Sequence, residues 1–417
     1  MAFQQGLSGL NASSTALDVI GNNIANSSTV GFKAANAHFA DVYASMMAGS
    51  GASQIGIGTT VMAIQQEFTQ GNVTTTKNPL DIAINGDGFF RMSNQDTITF
   101  SRNGQFHVDK NGYIIDDRAR RLTGYPADAN GKVIQSAPQE LQLFAGNQPP
   151  VATGTSGGAF QGVRASFNLD SRKDIIDPAA PTAFAPNNVN SYNWSTSTSI
   201  FDSLGNPHTL TFYASKRTVS AANSTWDMNF TVDGAATNPA NMTLTFDTSG
   251  RLTAPATPSN LSFAPGNGAA PLNFPVNFAG TTQTGSLFAA NSLEQDGYTT
   301  GRLINVSVAK DGVIRGNYSN GQARDMGQVV LAGFTDPNGL MSLGGNQWAE
   351  TATSGPPLVG IPTSAKLGVL QSAAVEESNT DLTAELVKMI VQQRNYQANA
   401  QTIKTQDQIM QTLVNLR

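Results

Sequence analysis

Apolar residues recur every seven positions at both ends of the chain. Phe3, Leu10, Leu17 and Ile24 are spaced by sevens, with Leu7 and Ile20 filling in. Leu382, Met389, Tyr396, Ile403 and Met410 repeat the spacing, with Leu386, Ala400 and Val414 beside them. A seven-residue repeat places these side chains on one narrow stripe of a helix. The pattern predicts a first helix within residues 1–28 and a closing helix from Ser378-Asn379-Thr380-Asp381 to the last residue. Ser378 with Asp381 three residues later fits an N-cap followed by an acidic first turn. The closing helix would run about 36 residues, roughly 54 Å at 1.5 Å per residue. Gly6, Gly9 and Gly21 lie inside the first helix. Each costs about 1 kcal/mol relative to alanine, so that helix should gain order mainly by packing. The two stripes sit at opposite ends of the sequence and can pair only if the chain leaves one place and returns to it.

Between the ends the pattern changes. Residues 34–47 carry an apolar run (Phe39, Val42, Tyr43, Met46, Met47) compatible with a further helix, and residues 48–60 are rich in Gly, Ala and Ser and read as a flexible strap. From residue 61 the period is two. Leu80, Ile82 and Ile84 alternate, as do Ile98 and Phe100, then Phe106 and Val108, on either side of Asn103-Gly104, a strong hairpin signal. Asp109-Lys110-Asn111-Gly112, Asp128-Ala129-Asn130-Gly131 and Asp247-Thr248-Ser249-Gly250 repeat the turn theme. Trp226, Met228, Phe230 and Val232 alternate, then Met242, Leu244 and Phe246. Residues 146–200 and 254–290 read as loop-rich, and 351–366 as a Gly/Pro/Ser/Thr connection back to the terminal region. The fold class expected is mixed: an α-helical terminal coiled-coil domain plus two mainly-β domains inserted in nested fashion. The boundaries expected are 1–70 with 361–417, 71–146 with 296–360, and 147–295.

Composition narrows the function classes. Charged residues make up 13% of 417, and the formal net charge is −5. No basic excess is present to hold nucleic acid or an anionic bilayer. There is no cysteine, which excludes disulfides, thiolate metal sites and a cysteine nucleophile. The first residues, Met-Ala-Phe-Gln-Gln-Gly, form neither a basic nor an apolar leader region, so no cleavable signal peptide is expected. No stretch approaches 18 apolar residues, so no membrane insertion is expected.

Candidate chemistry is sparse. His38, His107 and His208 show no metal-ligand spacing, and no cofactor is called for. The Asp-x-Asn-Gly stretches resemble the start of a calcium loop, but Arg120 and Gln139 stand where its closing Glu belongs. Gly154-Thr155-Ser156-Gly157-Gly158 matches GxSxG without the strand and helix that a nucleophile elbow needs. No enzyme is expected.

Several motifs together carry a resemblance. Leu17-Asp18-Val19-Ile20-Gly21-Asn22-Asn23-Ile24-Ala25-Asn26, with Thr29-Val30-Gly31-Phe32-Lys33, resembles the N-terminal motif of bacterial flagellar rod and hook proteins. Leu80-Asp81-Ile82-Ala83-Ile84-Asn85-Gly86-Asp87-Gly88-Phe89-Phe90 and Ser101-Arg102-Asn103-Gly104-Gln105-Phe106 are similar to that family's internal motifs. Ser378-Asn379-Thr380-Asp381-Leu382 and Gln393-Arg394-Asn395-Tyr396-Gln397-Ala398-Asn399 are similar to its C-terminal motif. The region around 147–295, absent from the shorter rod members, makes the chain look like the hook members.

The resemblance implies a subunit that self-polymerises into a curved, flexible tube and transmits torque from rod to filament. The implied partners are further copies of itself, a hook cap protein, a distal rod protein, a hook–filament junction protein and the flagellar export apparatus, with no nucleic acid. The implied location is the extracellular flagellar hook, reached without a cleavable signal. The self-assembly seam expected is Phe3, Leu7, Leu10, Leu17, Ile20, Ile24, Leu382, Leu386, Met389, Tyr396, Ile403 and Met410. Phe39 and Tyr43 are similar to a candidate export motif. Two alternatives remain at this point: a distal flagellar rod protein, and a secreted β-domain hydrolase or glycan-binding protein on a helical stalk.

Overall fold

The computed structural model describes residues 2–42, 56, 58–95, 97–128, 131–143, 146–158, 160–178, 183–364 and 366–415. Two compact units are present. The first comprises Met1–Ala145, Asn305–Asn317 and Ala323–Arg417; the second comprises Gly146–Ile304 and Tyr318–Gln322.

The first unit begins with helix α1, Ala2–Ala25, and ends with helix α2, Leu382–Asn415. Asp381, rather than Ser378, caps α2: its Oδ1 accepts from Thr383 N at 2.9 Å and Ala384 N at 3.1 Å. Ser378 Oγ instead accepts from Thr380 N just outside the helix. The capping oxygen therefore lies three residues later than the sequence pattern suggested.

The run after α1 is a strand, not a helix. β1, Ala35–Val42, pairs antiparallel with β2, Gly58–Gln66, with a bulge at His38/Phe39. The β-branched residues of β2 (Thr59, Thr60, Val61, Ile64) supply a ladder that overrides the helix preference of the alanines in β1. Gly58–Thr60 thus belong to a strand. The rest of the 48–60 strap lies outside the described residues, apart from Gly56.

β3, Val73–Thr75, pairs with Ala374–Glu376, and β4, Ile82–Asn85, with Val369–Ser372. The outgoing and returning chain segments therefore run side by side. β5 (Phe89–Asn94) lies between β6 (Thr97–Ser101) and β9 (Arg121–Pro126), and the short pair β7 (His107–Val108) and β8 (Ile114–Ile115) joins through β8 to β9. Because side chains alternate faces along a strand, β5 feeds two cores. Phe90 and Met92 join Ile82, Ile84, Phe106, Leu122 and Val329, while Phe89 joins Phe100, Ala332 and Trp348.

Asn103-Gly104 does not close a β6–β7 hairpin. β6 pairs with β5 and Gln347–Ala349, β7 pairs with β8, and Gly104 O accepts from Ile82 N at 2.8 Å. The turn redirects the chain towards β4. The other Asp-led turns are hairpins. At Asp109, Asp116, Asp202 and Asp247 the Asp Oδ1 accepts backbone N–H groups two and four residues on. The carboxylate oxygen that a calcium loop would turn to an ion is bonded to its own backbone. The fourth position has positive φ, filled by Gly112, Gly205 and Gly250, but by Ala119 (φ 60°) after Asp116.

The second unit is all β. Trp194–Phe201, Pro207–Val219, Asn223–Val232 and Ala235–Asp247 form an antiparallel meander with Phe212 opposite Phe230 and Trp226 opposite Leu244. The alternating residues read from the sequence, Trp226, Met228, Phe230, Val232, Leu244 and Phe246, all lie in its core with Phe167 and Phe274. The loop-rich stretches also contain strands: Val163–Asp170, Ser259–Phe263, Leu272–Asn277, Thr282–Thr284 and Ala289–Gln295. Leu272, Phe274 and Val276 alternate there, but prolines beside them mask the period.

Candidate functional site

The two helices pack antiparallel in the first unit. A Cβ placed on Gly6 would lie 3.0 Å from Ile403 Cγ1, and one on Gly9 would lie 2.8 Å from the Asn399 side chain. At the other end Asn23 Nδ2 donates to Glu385 Oε2 at 3.3 Å. The buried residues of α1 are Gly6, Ala12, Ser13, Ala16, Ile20 and Asn23; without Ala12, which flanks the stripe, they run in steps of seven, three, four and three. Small residues thus form the inward heptad. Ser13 satisfies its hydroxyl by donating to Gly9 O at 2.8 Å. Glycines that weaken α1 as an isolated helix are what let α2 approach it.

Of the expected seam, only Ile20 is buried in the single chain. Leu10, Leu17, Ile24, Met389 and Ile403 are half-buried. Phe3, Leu7, Leu382, Leu386, Tyr396 and Met410 are 37–57% exposed. Val387, Ile390, Val391, Ile409 and Val414 extend this open face along α2. The large apolar heptads are therefore only partly spent within the chain: Ile403 packs on Gly6 of α1, whereas Phe3, Leu7, Leu382, Leu386, Tyr396 and Met410 remain open. Beside them the β1–β2 hairpin exposes Phe39, Met62 and Ile64. An apolar cleft of about 280 Å³ runs between Ala16 and Ile20, Phe39, and Val387 and Val391. A contiguous apolar surface of this kind on one chain marks an interaction surface. Phe39 lies on β1; Tyr43 lies outside the described residues.

A buried polar clasp holds the base of the helical pair. Glu376 Oε1 accepts from Lys33 Nζ at 2.7 Å and from Gly71 N at 2.9 Å, and its Oε2 accepts from Arg102 Nη1 at 3.1 Å. The Lys33 and Glu376 side chains are 0% exposed. Lys33 Nζ also donates to Thr69 O at 2.6 Å. Burial holds the Lys33 ammonium below its ordinary value; nearby Arg102 adds to this and Glu376 opposes it. Asn379 Oδ1 accepts from Ala34 N at 2.8 Å, and its Nδ2 donates to Glu67 O at 2.8 Å. Asn23 bonds the Ala35 backbone in both directions at 2.8 and 3.0 Å. The clasp joins Gly31-Phe32-Lys33, Ser101-Arg102-Asn103 and the Glu376–Asn379 segment. Sequence reasoning used these motifs for likeness but assigned them no role. The available signal was a lysine, an arginine and a glutamate set in turn-rich motifs of a chain with few charges.

The residues screened for chemistry lie apart. Ser156 Oγ donates to Asp296 Oδ2 at 2.7 Å with no histidine bonded to either. His208 sits between Asp233 Oδ2 at 2.7 Å and Asp202 Oδ2 at 3.3 Å in the second unit. No group of His, Asp and Glu that could hold a metal ion occurs among the described residues. None of the described helices is long and apolar enough to cross a membrane.

Four family models match. "Flagella basal body rod protein" covers residues 3–33, and "Flagellar hook protein FlgE/F/G D1 domain" covers 83–143. "Flagellar basal body protein FlaE D2 domain" covers 168–298, and "Flagellar basal body rod FlgEFG protein C-terminal" covers 371–416. The chain is 41% identical to the flagellar hook protein FlgE of Escherichia coli strain K12, over 100% of both chains. It is 32% identical to flagellar hook protein FlgE of Borreliella burgdorferi, over 100% of this chain and 99% of the relative. The crystal structure of Helicobacter pylori flagellar hook protein FlgE2 matches with TM-score 0.54 at 14% identity, covering 73% of this chain and 100% of that one. That structural likeness speaks to the fold alone.

Proposed function

Since the chain belongs to the flagellar hook protein family, we propose that it is the structural subunit of the flagellar hook, self-polymerising into a curved, flexible tube that transmits torque from rod to filament. The observation that carries this is the apolar surface of α2 that is left exposed among the described residues. Covering a half-exposed Leu, Ile or Met recovers about 1 kcal/mol at ~25 cal/mol per Å². Leu382, Leu386, Val387, Ile390, Val391 and Met410 together offer several kcal/mol per subunit before the entropy of association is met. In this reading the terminal helices line the tube as coiled coils and the seam residues pack against neighbouring copies.

Residues 1–70 with 361–417 form the assembly domain, 71–146 with 296–360 the middle domain and 147–295 the outer domain. Low surface charge lets outer surfaces slide without breaking strong ion pairs. The subunit follows a distal rod protein, assembles beneath a hook cap protein and is succeeded by a hook–filament junction protein. It reaches that place through the export apparatus, with Phe39 and Tyr43 as the export motif. Relatives that bear the hook name over their full length leave the distal-rod and hydrolase alternatives without support.

Electron microscopy of the purified protein after salt-induced polymerisation tests this. Curved tubes are expected. Deleting residues 1–25 or 385–417 should leave folded monomers that form none, and a truncation that still forms tubes would refute the reading.

A further inference from the structure

A polar cavity of about 520 Å³ in the first unit is lined by Asn22 of α1, Asn26 just after it, the Asp116–Arg120 turn and the loop carrying Gly345 and Asn346. Asn346 Nδ2 ties that loop to the turn after α1 by donating to Val30 O at 2.6 Å. Two guanidinium groups reach this cavity with donors to spare. Arg120 spends Nε, at 2.8 Å, and Nη2 on Asp116 Oδ2, yet its Nη1 is buried without a partner. Arg118 lies across Gly345, where a Cβ would fall 2.2 Å from its Cζ. The Arg118 side chain is exposed and makes no hydrogen bond or ion pair among the described residues. Lys33 is matched by Glu376 and Asp116 by Arg120, while the exposed Asp117 carboxylate turns towards His107, 3.8 Å from its Nδ1. A buried guanidinium hydrogen without an acceptor is costly, and the planar fork fits a carboxylate.

We propose that Arg118 and Arg120 form a socket for a carboxylate side chain of a second copy of this chain. The second copy is the occupant because the cavity borders α1, whose outer face is open to neighbours. The same unit also presents carboxylates with no hydrogen bond or ion pair among the described residues, Asp18 and Asp41, both exposed. The inference rests on the hook-subunit reading.

The test is a carbodiimide cross-link on an Arg118→Lys variant, which couples an amine only to a carboxylate in contact with it. Mass spectrometry should find an amide from position 118 to an Asp or Glu of another copy in polymer and not in monomer. In parallel, Arg118→Ala should raise the protein concentration needed for polymerisation by roughly ten-fold, the loss of one charge-assisted contact, with the monomer melting temperature unchanged. Polymer that forms cross-links elsewhere but none at position 118 would overturn the socket, as would an Arg118→Ala protein that polymerises like wild type. Wild-type protein that forms no polymer would overturn the hook-subunit reading together with the socket.

Discussion

Replacing Glu376 with Gln tests the clasp at the base of the helices. The substitution keeps the shape and removes the carboxylate that, among the described residues, is the only one paired with Lys33 and Arg102. Both cations are buried, with side chains 0% and 3% exposed, so water does not compensate. Breaking a buried pair by removing one partner costs about 3–5 kcal/mol, because an uncompensated charge stays behind. Against a domain stability of about 5–15 kcal/mol, this is a large fraction. Lys33→Met is the control. It removes one cation while Glu376 keeps Arg102 and Gly71 N, and Thr69 O keeps only the long bond from Asn379 Nδ2 at 3.4 Å, a loss of about 1–3 kcal/mol. The expected order is therefore Glu376→Gln well below Lys33→Met, and Lys33→Met below wild type. Native-state hydrogen exchange in Ile82–Asn85 and Val369–Ser372, the paired strands that adjoin Glu376, measures both opening free energies in the monomer. A loss under about 1 kcal/mol for Glu376→Gln, or a larger loss for Lys33→Met, would refute the reasoning.

Ala119→Gly should stabilise the monomer by about 0.5–1 kcal/mol, because Ala119 holds the left-handed position that glycine fills in the sister turns; a lowered urea midpoint would contradict this. Gly21→Ala, where nothing lies within 4 Å of the added Cβ, should slow amide exchange in α1 by roughly the 1 kcal/mol of helix propensity. Gly9→Ala should gain less, since Asn399 must move aside. In the second unit, burial disfavours the charged form of His208, but its hydrogen bonds to Asp233 and Asp202 outweigh that and raise its pKa above 6.5. Burial likewise opposes the Asp233 carboxylate, but hydrogen bonds from Thr209 N and His208 hold its pKa below 3.8. The histidine contributes stability below pH 6.5 that is lost as pH rises through its raised value; the aspartate contributes stability above pH 3.8 that is lost on acidification. Thermal unfolding of the second unit, followed by Trp194 and Trp226, should therefore peak between those limits and fall towards alkaline pH. A His208→Gln protein with the same alkaline slope would contradict this.

What could be read from sequence was what local chemistry enforces. The second unit's core was visible because Trp226, Met228, Phe230 and Val232 alternate without interruption, and a slip of one residue would turn all of them outward. The Asp-led hairpins were visible because the carboxylate and a following glycine encode the turn. Three features were hidden for different reasons. The Ala35–Val42 strand owes its state to a partner 16 residues further on. The Lys33–Arg102–Glu376 clasp joins residues more than 270 positions apart, and nothing local marks a lysine as buried. The inward face of α1 was missed because Gly6, Gly9 and Ser13 read as helix-weakening residues, whereas packing uses their smallness. The conspicuous heptad of Phe3, Leu10, Leu17 and Ile24 was real periodicity, yet it flanks the buried stripe: Phe3 is exposed and the other three are half-buried.

Hydrogen exchange of the wild-type protein before and after polymerisation tests the central claim most directly. Peptides from Leu382–Asn415 should exchange readily in the monomer, where one face of α2 is uncovered. In the polymer they should slow by at least about ten-fold, equivalent to ~1.4 kcal/mol. A polymer in which those amides exchange as fast as in the monomer would show that the subunits are held elsewhere.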